Sequence, residues 1–308
     1  MSGLTVIIVT HNSAEVVDDC LQSCRGLDVL VIDNASTDDT VARVKCHPGV
    51  RVIAKTNNLG FAGGVNAGVR ASSSDYLLLL NPDVQLLDSP APLTAAMDTE
   101  ITCGIAAGVL LGSDGEPQRG FTVRRFPTPA ALAFEALGIN RLMPWNAVNR
   151  RYRYVDRNLG AAGEVDQPAG AFLLFRRQVW SALGGFDERF HPVWFEDVDF
   201  CRRAKTAGFR ILLIPAVRAL HAGGHSVMRL SEACRTGYWY GSLLKYAAKH
   251  FPGGQRQAVG AAVLLGSVLR AIAGAAALRS LKPFSVYSKV IRAAGACMVS
   301  GRVPDVSC

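Results

Sequence analysis

The chain alternates short apolar runs with polar, turn-forming stretches. Leu4-Thr5-Val6-Ile7-Ile8-Val9-Thr10 is rich in β-branched residues and predicts a strand. Residues 27–32 predict a second strand and Arg51-Val52-Ile53 a short third one. Leu77-Leu78-Leu79-Leu80 reads as a strand buried on both faces, as in a parallel sheet covered by helices. Residues 105–111, 171–175 and 211–214 continue the series. Helices are expected between them: after a cap at Asn12 or Ser13, after Thr37 or Asp38, within 57–68, over 92–99, from Arg176 to Gly184-Gly185, and from Glu196 to about Gly208. This alternation predicts an α/β fold with a doubly wound, mainly parallel sheet. From about Ser231 the pattern becomes helical and apolar. Residues 113–165 carry turns, aromatics and arginines without a clear period, and are expected to form an excursion over the active face.

The breaks in the pattern carry the candidate chemistry. Asn81-Pro82 stops the leucine strand, because proline lacks the N–H that a ladder needs. Asp83 is thereby presented beyond the carboxyl end of a central strand, where open α/β sheets bind ligands. With Asn81 as a second oxygen donor, it suits a hard divalent cation holding a diphosphate. A Pro-Asp turn capping the next element is the alternative. The glycines of Asn58-Leu59-Gly60-Phe61-Ala62-Gly63-Gly64 permit close backbone approach to a ligand, or close packing of a helix on the sheet. No Gly-Lys-Ser/Thr follows, so this is not a Walker A loop. In Glu196-Asp197-Val198-Asp199, Glu196 and Asp199 read as complements of a helix dipole. Asp197 differs, since it follows Trp194 and Phe195, both expected to be exposed. His221 and His225 fall in a turn after the last strand.

Composition adds one asymmetry. Of the 308 residues, 49% are hydrophobic and 19% charged, which describes a globular chain. Residues 1–201 carry 17 Lys and Arg against 23 Asp and Glu, a balance of −6; residues 202–308 carry 16 against 2, a balance of +14. A basic, apolar C-terminal third implies an anionic partner such as a membrane surface. Its longest apolar run, from Ala258 to Leu269, is short of the roughly 20 residues that span a bilayer. The eight cysteines form no CxxC pair, and a reduced cytosolic setting is expected.

In this order and spacing, several motifs together resemble the inverting family 2 glycosyltransferases of the GT-A fold, over roughly residues 4–250. They are Val9-Thr10-His11-Asn12, Ile32-Asp33-Asn34-Ala35-Ser36, the loop from Asn58 to Gly68, Asn81-Pro82-Asp83, Gly184-Gly185-Phe186-Asp187, Phe195-Glu196-Asp197-Val198-Asp199, and His221. Within the family the chain looks most like rhamnosyltransferases that build bacterial surface polysaccharides. The resemblance implies that Asp33 bonds the donor's pyrimidine and that Thr10 and Asn12 line that pocket. Asn58, Gly60 and Phe61 would lie under the ribose and diphosphate, and Asn34, Asn66 and Asn81 also fall on the donor side. Asp83 would hold Mg2+ or Mn2+, with His221 as a second ligand. Asp197 would be the general base, and Trp194, Phe195 and Glu196 would meet the acceptor. Two positions depart from the pattern: His11 stands where many relatives have tyrosine, and Asn81 replaces the first aspartate of a DxD motif.

The expected organisation is a GT-A domain over 1–230, with a nucleotide-binding half at 1–112 and an acceptor-binding half at 113–230. A basic helical extension follows over 231–308. The expected partners are a dTDP- or UDP-sugar and a saccharide or lipid-linked saccharide acceptor. The C-terminal region would meet the inner face of the cytoplasmic membrane, with a homodimer contact as the alternative and no role for nucleic acid. L-Rhamnose is the favoured sugar, with a UDP-linked hexose or galactofuranose as the other option. A catalytically inactive nucleotide-binding partner would keep Asp33 but lose Asp83 or Asp197, and both are present. A nucleotidyltransferase would want a basic glycine-rich loop after the first strand, where His11-Asn12-Ser13-Ala14-Glu15 stands.

Overall fold

The computed structural model describes residues 3–221, 223 and 229–306. Its strands are β1 (Leu4–Thr10), β2 (Asp28–Asp33), β3 (Arg51–Ala54), β4 (Tyr76–Leu80), β5 (Val84–Leu86), β6 (Cys103–Leu111), β7 (Val123–Arg124), β8 (Gly163–Glu164), β9 (Gln167–Pro168), β10 (Phe172–Arg176) and β11 (Arg210–His221). Its helices are α1 (Val17–Ser23), α2 (Thr40–Lys45), α3 (Gly60–Arg70), α4 (Ala91–Thr99), α5 (Pro129–Leu137), α6 (Ile139–Leu142), α7 (Ala147–Tyr152), α8 (Arg177–Leu183), α9 (Glu196–Thr206), α10 (Glu232–His250), α11 (Gly253–Leu278) and α12 (Lys282–Ser300). The chain divides into two units. The first holds residues 1–126, 153–188 and 196–229; the second holds 127–152, 189–195 and 230–308.

The first unit is a mixed, mainly parallel sheet between helices. Among the described residues its main path runs β3-β2-β1-β4-β10-β6-β11-β5, with β8 beside β11. Strands β1 to β4 pair parallel, so their carboxyl ends share one edge. β10 is antiparallel to β4, with Phe172 opposite Leu80. The stretch before β10 therefore reaches the same edge as the stretch after β4. The buried leucines of β4 alternate as a strand requires. Leu78 and Leu80 join Val17, Cys20 and Leu93 on one face, and Leu77 and Leu79 join Val65, Val179 and Phe200 on the other.

The glycine loop is mostly helix. α3 begins at Gly60 and lies so close to β1 that a Cβ on Gly64 would stand 2.6 Å from Val9 Cγ1. Gly64 thus serves helix-on-sheet packing. The expected caps differ as well: the N-cap of α1 is Val16, without a side-chain bond, because the Asn12 amide instead accepts from Thr37 N. β11 runs past Pro215 to His221, since a register shift between Leu213 and Arg218 absorbs the proline. His221 is therefore the end of a strand rather than part of a turn. His225 lies outside the described residues.

The second unit is helical. Residues 127–152 contribute α5, α6 and α7. α5 is bracketed by Thr128, whose side chain accepts from Ala131 N, by Pro129 in the first turn, and by left-handed Gly138. α11 packs between α5 and α12. It is 26 residues long and, by length and composition, apolar enough to cross a membrane. The run counted from sequence is shorter because Arg270 interrupts it without ending the helix.

Candidate active site

The shared edge of the sheet gathers three groups of polar residues. At the ends of β1 and β2, Thr10 and Asp33 are register partners. Thr10 Oγ1 donates to Asp33 Oδ1 at 2.8 Å, Ser36 Oγ to Oδ1 at 2.5 Å and Ser36 N to Oδ2 at 2.9 Å. Asp33 is only 1% exposed. Beside it, Asn34 Nδ2 donates to Gly60 O at 2.9 Å, tying β2 to the start of α3, while Asn34 Oδ1 is buried without a partner. Asn12 and Ala35 flank this corner with left-handed φ of 51° and 58°. Asn58 Oδ1 accepts from Gly60 N at 2.8 Å, where Gly60 has φ of 71°.

The second group joins β4, β5 and β11. His221 is opposite Val84, which places it beside Asp83, and Nε2 and Asp83 Oδ1 are 3.7 Å apart. The ring stacks on Phe121 at 5.0 Å between centroids. Gln118 Nε2 donates to His221 O and Gln118 Oε1 meets His221 Nδ1, both at 3.0 Å. An amide oxygen only accepts, so Nδ1 carries the hydrogen and the Nε2 lone pair faces Asp83. Burial pushes the imidazole below its ordinary value and Asp83 pulls it back up. A carboxylate oxygen and an imidazole lone pair turned toward each other fit a divalent cation, and the Gln118 bond is the outer-shell support such a ligand needs. Among the described residues no three His, Cys, Asp or Glu side chains converge on an ion site.

The third group surrounds the start of α9. Asp197 Oδ2 accepts from Gly170 N and Oδ1 from Val198 N, each at 2.8 Å. A Cβ on Gly170 would stand 2.9 Å from Asp197 Cβ, so the approach requires glycine. Burial raises the Asp197 carboxyl, while the two N–H groups and the Arg124 guanidinium pull the other way. Glu196 is 4% exposed and its Oε2 has no hydrogen-bond partner. Burial first, and Asp197 second, push Glu196 well above the carboxylate range, which favours its protonated form. Asp199 is not a simple dipole complement: it is buried and paired with Arg203 at 2.7 Å, and Arg203 also donates to Leu183 O and Gly185 O. Asn81 N donates to Ala171 O at 3.0 Å, linking the turn that carries Asp83 to the segment that holds Asp197.

Some expected residues stand elsewhere. Asn66 is buried with its amide committed, accepting from Trp180 Nε1 and Phe186 N and donating to Phe186 O and Glu188. It clamps the Gly185-Phe186 turn and has no spare donor or acceptor for a nucleotide. Phe195 is not exposed. At 4% exposure it packs within the helical unit on Trp239 and Tyr246, at 5.3 and 5.4 Å, which leaves no open face for a sugar. Trp194 keeps partial exposure, edge-on to Trp239. Both residues have left-handed φ, 79° and 70°, a strain of about 1–2 kcal/mol each. Gln118, Phe121, Arg124 and Gly170 are site residues that pattern reasoning misses.

The sequence and the fold agree with known proteins. The family model described as Glycosyl transferase family 2 matches residues 5–180. An N-acetylglucosaminyl-diphospho-decaprenol L-rhamnosyltransferase of Mycobacterium tuberculosis (strain CDC 1551 / Oshkosh) is 29% identical over 246 residues, which are 73% of this chain and 78% of that protein. Rhamnosyltransferase WbbL of Escherichia coli (strain K12) is 25% identical, over 71% of this chain and 83% of its own. The solved mannosyltransferase PcManGT from Pyrobaculum calidifontis, in complex with GDP-Man and Mn2+, shares the fold. Its TM-score is 0.54 at 17% identity, covering 98% of this chain and 88% of that one.

Proposed function

The chain belongs to glycosyl transferase family 2, and from that premise we propose that it moves L-rhamnose, with inversion, from dTDP-L-rhamnose to a polyprenyl-diphosphate-linked saccharide. The likeness to two rhamnosyltransferases supports the sugar, and the printed name of the mycobacterial relative supports the acceptor. The observation that carries the chemistry is the common sheet edge of Asp33, the Asp83–His221 pair and Asp197. Such a reaction belongs to cell-wall or surface polysaccharide synthesis, on the inner face of the cytoplasmic membrane.

Each residue then has a task. A carboxylate offers about four acceptor sites. Protein donors fill two on Asp33 Oδ1 and one on Oδ2, leaving one for the imide N–H of a pyrimidine. Asn34 Oδ1, without a protein donor, would accept from the nucleoside. Asp83 and His221 would hold Mg2+ or Mn2+ against the diphosphate, where the cation would neutralise the charge of the leaving nucleoside diphosphate. Asp197 would take the proton from the acceptor hydroxyl as its oxygen attacks the anomeric carbon from the face opposite the leaving group. The Gly170 and Val198 N–H groups would hold the carboxylate in place, and burial makes it a stronger base than a surface aspartate.

The test is product analysis with a polyprenyl-diphosphate-linked acceptor and a panel of sugar nucleotides, with and without Mn2+. Transfer from dTDP-L-rhamnose, lost in Asp83→Ala, is expected. Faster transfer from a UDP-hexose would replace the sugar, and full turnover in excess EDTA would remove the metal.

A further inference from the structure

The helical unit ends in an apolar, cationic tip. Along α11, Leu265, Leu269, Ile272 and Ala276 recur every three to four residues and are exposed, so an apolar stripe faces outward. The stripe leads into the α11–α12 turn, where Leu278 and Leu281 are 68% and 76% exposed. Arg279 and Lys282 alternate with them and are also exposed. A second apolar loop belongs to the same unit: Leu142 and Trp145 are 82% and 74% exposed beside Arg141. The Arg270 guanidinium donates to Ala136 O, which fixes the end of α5 against α11. Between Glu232 and Asp305 the sequence contains no aspartate or glutamate.

We propose that this tip docks on an anionic bilayer surface, with Leu278 and Leu281 entering the headgroup region and Arg279 and Lys282 meeting lipid phosphates. Charge favours a membrane over a second copy. A self-complementary contact would set cations against cations with no acid in the segment to relieve them. Exposed leucines beside arginine and lysine are side chains that settle at a bilayer interface. α11 lies on the surface rather than crossing it, since Arg270 is bonded to α5 and a Cβ on Gly266 would stand 2.1 Å from Ala136 O. Crossing would tear that contact apart. The docking rests on none of the donor chemistry and can be measured without substrates.

The experiment is co-sedimentation of the full chain with vesicles of phosphatidylglycerol and phosphatidylcholine (1:1), and of phosphatidylcholine alone. Binding to the anionic vesicles at low salt, weakened by added salt, is expected. Leu278→Asp with Leu281→Asp should weaken it at least about tenfold, as should Arg279→Glu with Lys282→Glu in a separate variant. These positions are exposed, and unchanged thermal melting will show that the variants fold. Turnover with a soluble, tail-less acceptor should be unaltered, which separates docking from catalysis. Vesicle binding by the double-aspartate variant equal to wild type would overturn the proposal. So would a wild-type dimer in the absence of lipid that the same substitutions dissolve, with no vesicle binding.

Discussion

Asp33 and Asp197 stand at the same sheet edge and are held by different kinds of donor. Asp33 receives three protein hydrogen bonds, two of them from hydroxyls, and stands in a corner built by two neighbouring parallel strands. Asp197 receives two backbone N–H groups at 2.8 Å and a longer bond from Gln167 Nε2 at 3.4 Å; burial raises it, while the N–H groups and the Arg124 guanidinium lower it. Next to it, Glu196 is pushed further the same way and has an oxygen with no partner at all. Hydroxyl donors fit the acceptor role proposed for Asp33, and a dry setting that raises the carboxyl fits the proton-taking role proposed for Asp197.

The sharpest way to break this contrast is to remove each acid in turn. Asp197→Asn keeps the size and can still hydrogen-bond but cannot take a proton, so turnover should fall by about 10²–10⁴. Donor affinity should stay unchanged, measured by calorimetry on the same preparation. Normal turnover in this variant would move the base to another residue. Asp33→Ala should do the reverse. Losing a charge-assisted bond of roughly 1.5–3 kcal/mol weakens pyrimidine nucleotide binding by about one to two decades. Equal wild-type affinity for ADP and dTDP would remove the pyrimidine contact.

Two smaller effects concern protonation. Arg124 lowers Asp197, so Arg124→Gln should shift the acidic limb of the pH–rate profile to higher pH. An unmoved limb would detach that limb from Asp197. Glu196 in the folded chain lies above its ordinary value of 4.5, so the folded state is favoured below that pH. As pH rises past it, the unfolded chain ionises first and stability falls until the folded group also ionises. Glu196→Gln should flatten this decline in a series of melting temperatures upward from pH 4.5, and a decline as steep as wild type would show that Glu196 is not its source.

The difference between the two corners also marks what could be read from the sequence. Asp33, Thr10 and Asp83 follow strands made of continuous apolar runs, so their place at the edge was legible. The Asp197 corner was only partly so. Its orienting group is a glycine N–H 27 residues away, and the tautomer of His221 is set by a glutamine 103 positions distant. Such long-range polar pairs leave no local period. Residues 113–165 hid three helices for a different reason: α6 and α7 have four and six residues, too few to display a repeat. α5 could have been found, since Thr128-Pro129 and Gly138 mark its two ends. Phe195 was expected to be exposed beside Asp197, whereas with its left-handed backbone it packs on Trp239 and Tyr246 in the helical unit.

The antiparallel entry of β10 between β4 and β6 has a bearing on how such enzymes can be remodelled. Because β10 enters at the edge where β4 leaves, the 90-residue detour from Asn81 to Ala171 begins and ends at one hydrogen bond, between their backbone N–H and C=O. Within the detour, β5, β6 and the site residues Asp83, Gln118, Phe121 and Arg124 belong to the sheet unit, while residues 127–152 belong to the helical unit. A chimera that keeps those residues, with Asn81, Gly170 and Ala171, and grafts a foreign stretch over 127–152 would therefore leave every donor-side contact described above in place.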